Sequence, residues 1–209
     1  GSLLGAVRHK GFIPWDDDMD VMFDRYNYDK LMSCLEKSPM QGYIIAGNYF
    51  VKRLSRKDNP FVAEEKQCLD LFVFDVVPSS RIMEKLKIFF IRALQGMMKE
   101  NTRYERFSFK YKILLFATWL LGRPFSYKTK IRWYNKVSQW GGKGSGMINV
   151  YNTWFEHVGT LKFDKNIINN YIELDFDGRK YMAIEEFDSY LSTLYGDYMQ
   201  LPPLEKRVP

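Results

Sequence analysis

The chain has 209 residues, a formal charge of +6 and a pI near 9.1, and it is 46% hydrophobic and 17% aromatic. These values exclude a disordered polar chain and give enough apolar content for the core of one domain, or one and a half. Two cysteines (Cys34 and Cys68) and two histidines (His9 and His157) give neither a disulfide framework nor a Cys/His zinc cluster, which favours a reducing, cytoplasmic setting. The basic excess suits an anionic partner, whether a nucleotide, a nucleic acid or a phospholipid surface, and equally an ordinary solubilising surface.

Ser2 to His9 reads as a short helix, followed by a loop from Lys10 to Trp15 that Pro14 closes. Asp18 to Phe23 is a strand with acids at its mouth. Tyr26 to Lys37 shows helical spacing through Tyr28, Leu31, Met32 and Leu35, and Pro39 ends it. Tyr43 to Ile45 and Tyr49 to Leu54 read as a hairpin around Gly47-Asn48. Leu69 to Val77 is almost wholly apolar with two acids, the pattern of a central strand.

After Ser80 the composition changes to helices rich in Lys, Arg and aromatics. Glu84 to Glu100, Phe107 to Leu121 and Ser126 to Gln139 are the three expected helices, with Gly122-Arg123-Pro124 between the last two. The apolar run Ile113 to Leu121 is too short to span a bilayer. Gly141 to Gly146 reads as a flexible loop, because it lacks the spacing of a P-loop. Thr160 to Phe163 and Ile172 to Phe176 read as strands. A helix from Glu185 to Tyr195 is stopped by Gly196 and then Pro202-Pro203.

The chemistry concentrates in Asp16-Asp17-Asp18-Met19-Asp20, followed by apolar Val21-Met22-Phe23. Like charges this close repel unless a cation sits among them or water surrounds them. Alternation along a strand puts Asp18 and Asp20 on one face, a pair that suits Mg²⁺. Asp70, within Leu69-Asp70-Leu71-Phe72, is the natural third ligand, since a lone carboxylate in an apolar strand is costly unless it is paired, protonated or metal-bound. If the two strands are neighbours, Asp18, Asp20 and Asp70 converge on one or two metal ions, with Mn²⁺ an acceptable substitute for Mg²⁺. Gly1 and Ser2, opening a helix upstream, offer close backbone approach and hydrogen-bond donors to a phosphate. Each acid taken singly could instead be a cap or an ion-pair partner.

Gly1-Ser-Leu-Leu-Gly-Ala-Val-Arg8 followed by Gly11-Phe-Ile-Pro-Trp-Asp-Asp-Asp-Met-Asp20 closely resembles the LicD family of phosphocholine transferases, which includes the fukutin-type phosphotransferases. Leu69-Asp70-Leu-Phe72 is similar to that family's second acidic strand. Phe176-Asp-Gly178, and Leu194-Tyr-Gly-Asp-Tyr-Met199 with Pro202-Pro203, are similar to its carboxy-terminal signature. The resemblance implies an α+β fold: a nucleotidyltransferase-like mixed sheet with flanking helices and a helical insertion. It divides the chain into a catalytic core over 1–79, a basic aromatic-rich insertion over 80–146 and a family-specific segment over 147–209 that packs on the core. Because the family has a helix and strand before the Gly-Ser, the sequence also reads as a fragment lacking its first strand.

The implied reaction is transfer of phosphocholine, or a related phosphoalcohol, from CDP-choline to a hydroxyl of a cell-surface glycan precursor, with release of CMP. Asp18, Asp20 and Asp70 are the implied catalytic and metal residues, with Asp70 either completing the metal site or accepting the acceptor's proton. Gly1, Ser2, Arg8 and Asp16 are the implied donor-binding residues. For choline, an aromatic pocket is expected, with Tyr151, Trp154, Tyr195 and Tyr198 as candidates equally explained by a core. Asp197 and Arg179 are further candidates near the site, while Trp15, His9 and His157 read mainly as structural or solvent-exposed. The basic helices suit either peripheral contact with the inner face of the cell membrane, where lipid-linked acceptors reside, or a solvated face. No nucleic-acid partner is expected, because the aromatics lack RNA-binding spacing. Competing readings are a CDP-ribitol or CDP-glycerol phosphotransferase, nucleotidyl transfer proper, and a non-catalytic membrane-associated assembly module.

Overall fold

A computed structural model describes residues 1–16, 18–47, 50–61, 67–99, 107–151, 155 and 157–207. In chain order the elements are α1 (Ser2–His9), β1 (Met19–Asp24), α2 (Arg25–Lys37), β2 (Tyr43–Gly47), β3 (Lys52–Arg56), β4 (Leu69–Val76), α3 (Arg81–Met98), α4 (Phe109–Gly122), α5 (Tyr127–Ser138), β5 (Gly146–Ile148), β6 (Phe163–Asp164), β7 (Tyr171–Phe176), β8 (Arg179–Ile184) and α6 (Phe187–Tyr195). The fold is α+β. The chain groups into two units, one of residues 1–74 with 165–209 and the other of residues 75–164.

In the first unit the sheet runs β2-β3-β4-β1. β1 lies parallel to β4, with Asp20 opposite Asp70, and β3 lies antiparallel to β4, with Arg53 opposite Asp70. The sheet is therefore mixed. β4 is central, as its apolar composition requires: Leu71, Val73 and Phe74 are all buried. Asp24 closes β1 and caps α2, its side chain accepting from the Asn27 N–H at 2.7 Å.

The carboxy-terminal segment returns to this unit. β7 and β8 form a hairpin whose turn residues, Asp177 and Gly178, both have positive φ, the primed turn that Asp-Gly favours. α6 follows, and its Leu191 joins Leu4, Ile13 and Tyr198 in a small core, with Leu3, Val7, Trp15, Phe187 and Tyr190 packed around it. Leu3, Leu4 and Val7 recur at helical spacing, so this core is built on one stripe of α1.

The second unit holds α3, α4 and α5. The last residues of β4, Asp75 and Val76, pair with β5, and β5 pairs with β6. Ile91, Leu94, Leu115, Tyr134 and Ile148 are its buried apolar centre. Lys87 is fully buried and its ammonium donates to the carbonyls of Val76 and Ser138, at 2.7 and 2.6 Å. No helix of the described residues is long and apolar enough to cross a membrane.

Several sequence expectations change. The strand expected over Tyr49 to Leu54 is Lys52–Arg56, and Asn48 and Tyr49 lie outside the described residues. The strand expected over Thr160 to Phe163 is only Phe163–Asp164. β5 and β8 were not anticipated. β5 is three residues long and follows the glycine run, whose Gly141 and Gly144 abut the carbonyls of Val76 and Val77, leaving no room for a side chain there. Those glycines serve close backbone approach.

Candidate active site

Parallel pairing fixes the acids. Because Asp20 and Asp70 are register partners on adjacent strands, their side chains emerge from the same face of the sheet, and Asp18 precedes β1 with the same parity as Asp20. Oxygens of Asp18, Asp20 and Asp70 all lie within 4.8 Å of one another. Octahedral Mg²⁺ with bonds of roughly 2.1 Å separates its ligands by about 3 to 4 Å, so small inward rotations bring these three into range. An all-oxygen donor set is the kind a hard divalent cation takes.

Burial grades the three. Asp18 and Asp20 are partly exposed at the open end of β1, whereas Asp70 is 6% exposed. The buried carboxylate has a permanent partner in Arg53, itself 8% exposed, with Arg53 Nε 2.8 Å from Asp70 Oδ1. A row of Asp20, Asp70 and Arg53 thus crosses three neighbouring strands.

The start of α1 is tied to the same place. The Asp20 N–H donates to Ser2 Oγ at 2.8 Å, and the Gly1 nitrogen lies 2.9 Å from Asp20 Oδ2. A Cβ on Gly1 would fall 1.9 Å from Asp16 Oδ2, so a side chain there would have to displace the Asp16 carboxylate. Asp16 itself interacts with Asp18. Burial first, then the charges of Asp20 and Asp16 and a hydrogen bond with Asp16, raise the Asp18 carboxyl from 3.8 to about 6. Burial is the larger cause of that shift, and the neighbouring carboxylates add to it.

Two phenols from α6 stand in the field of this cluster. Burial, then Tyr195 and Asp20, push Tyr190 up to about 12. Burial, then Asp20 and Asp16, raise Tyr195 as well. Both keep their protons and remain hydrogen-bond donors. Tyr195 was among the sequence candidates, but Tyr190 was not, and neither was Arg53.

The other candidates are placed as follows. Arg8 points its guanidinium at the carbonyls of Tyr198 and Gln200, at 2.8 and 3.5 Å, and its Nε donates to His9 Nε2. It therefore braces the carboxy-terminal signature against α1. Burial, then Arg8, lowers His9. Trp15 packs on the α1–α6 core with Arg207 over its ring at 5.4 Å. The Phe176-Asp177-Gly178 signature is the hairpin turn, docked by an Asp177 N–H bond to the Lys10 carbonyl at 2.8 Å. Tyr198 bonds Asp188 at 2.7 Å, and Tyr151 lies buried in the second unit beside Ser138 and Asn135. Arg179, Asp197 and His157 are exposed, and Asp17 and Trp154 lie outside the described residues.

Residues 1–116, more than half of the chain, match the family model described as the LicD/FKTN/FKRP nucleotidyltransferase domain. A relative in Haemophilus influenzae, the lipopolysaccharide cholinephosphotransferase LicD, is 26% identical over all of this chain and 83% of its own length. Uncharacterized proteins of Rickettsia typhi and Rickettsia prowazekii are 35% and 33% identical, each over 35% of this chain and under a quarter of their own. With that match, and with the acids, the Gly-Ser helix and the Asp-Gly turn meeting in one unit, the chain belongs to the LicD family.

Proposed function

We propose that this enzyme transfers phosphocholine, or a closely related phosphoalcohol, from a CDP-activated donor to a hydroxyl of a lipopolysaccharide-type glycan precursor at the inner face of the cell membrane, with Mg²⁺ or Mn²⁺ and release of CMP. Two lines support it: the Haemophilus influenzae relative is named for cholinephosphate transfer to lipopolysaccharide, and the family is one of transferases. The observation that carries the reading is the convergence of Asp18, Asp20 and Asp70 beside the start of α1.

In this reading Asp18, Asp20 and Asp70 would hold the divalent ion. When bound, that ion supplies neutralisation of diphosphate charge for an in-line displacement. Arg53 fixes Asp70 so that the carboxylate does not swing away when the site is empty. The first N–H groups of α1 have no partner within the helix, and with the Ser2 hydroxyl they would donate to a phosphoryl oxygen. Tyr190 and Tyr195, held protonated, would offer O–H donors to the donor or the acceptor. The acceptor oxygen forms its bond to the phosphorus bearing the alcohol, the bond from that phosphorus to CMP breaks, and the acceptor's proton leaves to base.

The test is a melting curve of the purified chain with Mg²⁺ and each of CDP-choline, CDP-glycerol and CDP-ribitol, followed by assay of CMP release with acceptor present. CDP-choline with Mg²⁺ should raise Tm, and Asp20→Ala should abolish the rise. A response to CDP-ribitol or CDP-glycerol but not CDP-choline overturns the choline assignment. Silence with all three donors, in Mg²⁺ and in Mn²⁺, overturns the CDP-alcohol reading.

A further inference from the structure

We infer that α4, with the start of α5, forms a docking face for an anionic phospholipid bilayer. The inference rests on the second unit alone and not on the acid cluster. α4 is apolar on two opposite sides. Its inner side places Leu115, Thr118 and Gly122 against α3, where a Cβ on Gly122 would fall 2.7 Å from the Cβ of Met97. Its outer side carries Phe109, Ile113, Phe116 and Leu120, spaced by four, three and four residues, and these are 77, 57, 56 and 51% exposed. A helix with such a stripe left in water has not buried its apolar surface, and scattered single exposures would not fall at this period. At 14 residues α4 is about 21 Å long, short of the roughly 30 Å hydrocarbon core, so it lies along a membrane rather than through it.

Charge identifies the occupant. From Phe107 to Phe155 the sequence has no Asp or Glu and eight Lys or Arg. Lys110, Arg123, Lys128 and Arg132 are exposed on α4, its C-terminal turn and α5. Arg123 lies over the Trp119 ring at 5.2 Å, an amphipathic pair of the sort that anchors at headgroup depth. A second copy of the same face would bring cations against cations with no acid to answer them. An anionic headgroup layer answers both the charge and the apolar stripe, and each cation near such a surface strengthens binding about fivefold.

Vesicle flotation tests this. The chain should float with vesicles of equal parts phosphatidylcholine and phosphatidylglycerol, should bind phosphatidylcholine alone far less, and should be released by high salt. Ile113→Ser and Phe116→Ser should each weaken binding about tenfold, and Lys110→Gln and Lys128→Gln about fivefold each. All four positions are exposed, and an unchanged Tm confirms that each variant folds. Asp20→Ala should bind vesicles as well as the parent, which separates this property from catalysis. The inference is overturned if the folded chain does not float with anionic vesicles. It is equally overturned if the serine variants leave flotation unchanged while converting a light-scattering dimer to a monomer, which would make the stripe a self-interface.

Discussion

Replacing Asp18 by Asn should stabilise this chain in the absence of divalent metal while removing its response to metal. The carboxyl is raised from 3.8 to about 6, by burial first and then by Asp20 and Asp16. Without solvent screening that rise is worth about 3 kcal/mol, since each decade in proton affinity is about 1.4 kcal/mol. Asp18 is partly exposed, and solvent screening reduces the figure to about 1–1.5 kcal/mol. The sign follows from linkage. The folded state holds the Asp18 proton more tightly than the unfolded chain does, so the associated stability is full below about pH 4 and is lost as pH rises through about 6. Above pH 7 without metal, Asp18→Asn should therefore melt about 3–5 °C higher than the parent, and below pH 4 the two should melt alike. With Mg²⁺ the order reverses: the parent gains about 1.4 kcal/mol for each tenfold excess of metal over its Kd, and the variant, one carboxylate short, gains far less. Differential scanning fluorimetry across pH, with EDTA and with Mg²⁺, gives all four comparisons. A variant that melts lower than the parent in EDTA at neutral pH, or that responds equally to Mg²⁺, refutes the placement of Asp18 as a crowded metal ligand.

Arg53→Met should cost about 3–5 kcal/mol by leaving Asp70 buried without its counter-charge, read as a lower urea midpoint, and Mg²⁺ should restore part of that loss if Asp70 is a ligand. Gly11→Ala puts a Cβ 2.2 Å from Asp177 Oδ1 and should cost about 1–3 kcal/mol. Asp177→Gly in the same chain should return most of it, because glycine also accepts the positive φ at that position. Arg8→Ala should cost about 1 kcal/mol and speed proteolysis between Gly196 and Arg207, since the carbonyls of Tyr198 and Gln200 lose their donor.

Strand alternation alone put Asp18 and Asp20 on one face, and the apolar run around Asp70 marked β4 as central. What alternation does not reveal is register. Whether Asp70 sits opposite Asp20 depends on how far β4 slides along β1, and a slip of one residue would turn its carboxylate to the other side of the sheet. Arg53 was missed for the same reason. Lys52, Arg53 and Arg56 look alike as a solvated basic patch, but Arg53 shares a buried face with Val51 and Ser55 while Arg56 is exposed. The period-two pattern Val51, Arg53, Ser55 was the available signal, and two polar members hid it. β8 was also within reach: Asp177-Gly178 after a strand is the strongest short-range hairpin signal, and it implies a second strand over Arg179 to Ile184. The return of residues 165–209 to α1 had no local signal, because Leu4, Ile13 and Leu191 meet only through the tertiary fold.

Under the proposed function, the graded burial of the three acids would separate folding from metal capture. If all three carboxylates were as buried as Asp70, their mutual repulsion in a low-dielectric site would make the metal a condition for folding, as in small structural metal domains. Here the one deeply buried acid has Arg53, a counter-charge that is part of the chain and does not leave. The remaining repulsion falls on Asp18 and Asp20, which are partly exposed, so water softens it. A cation arriving there relieves a strain of about 1 kcal/mol rather than rescuing an unfolded chain. Under the proposed function, the ion would come and go with a diphosphate substrate without the β1–β4 pair coming apart, whereas moving Arg53 out of the row would transfer that structural duty to the metal.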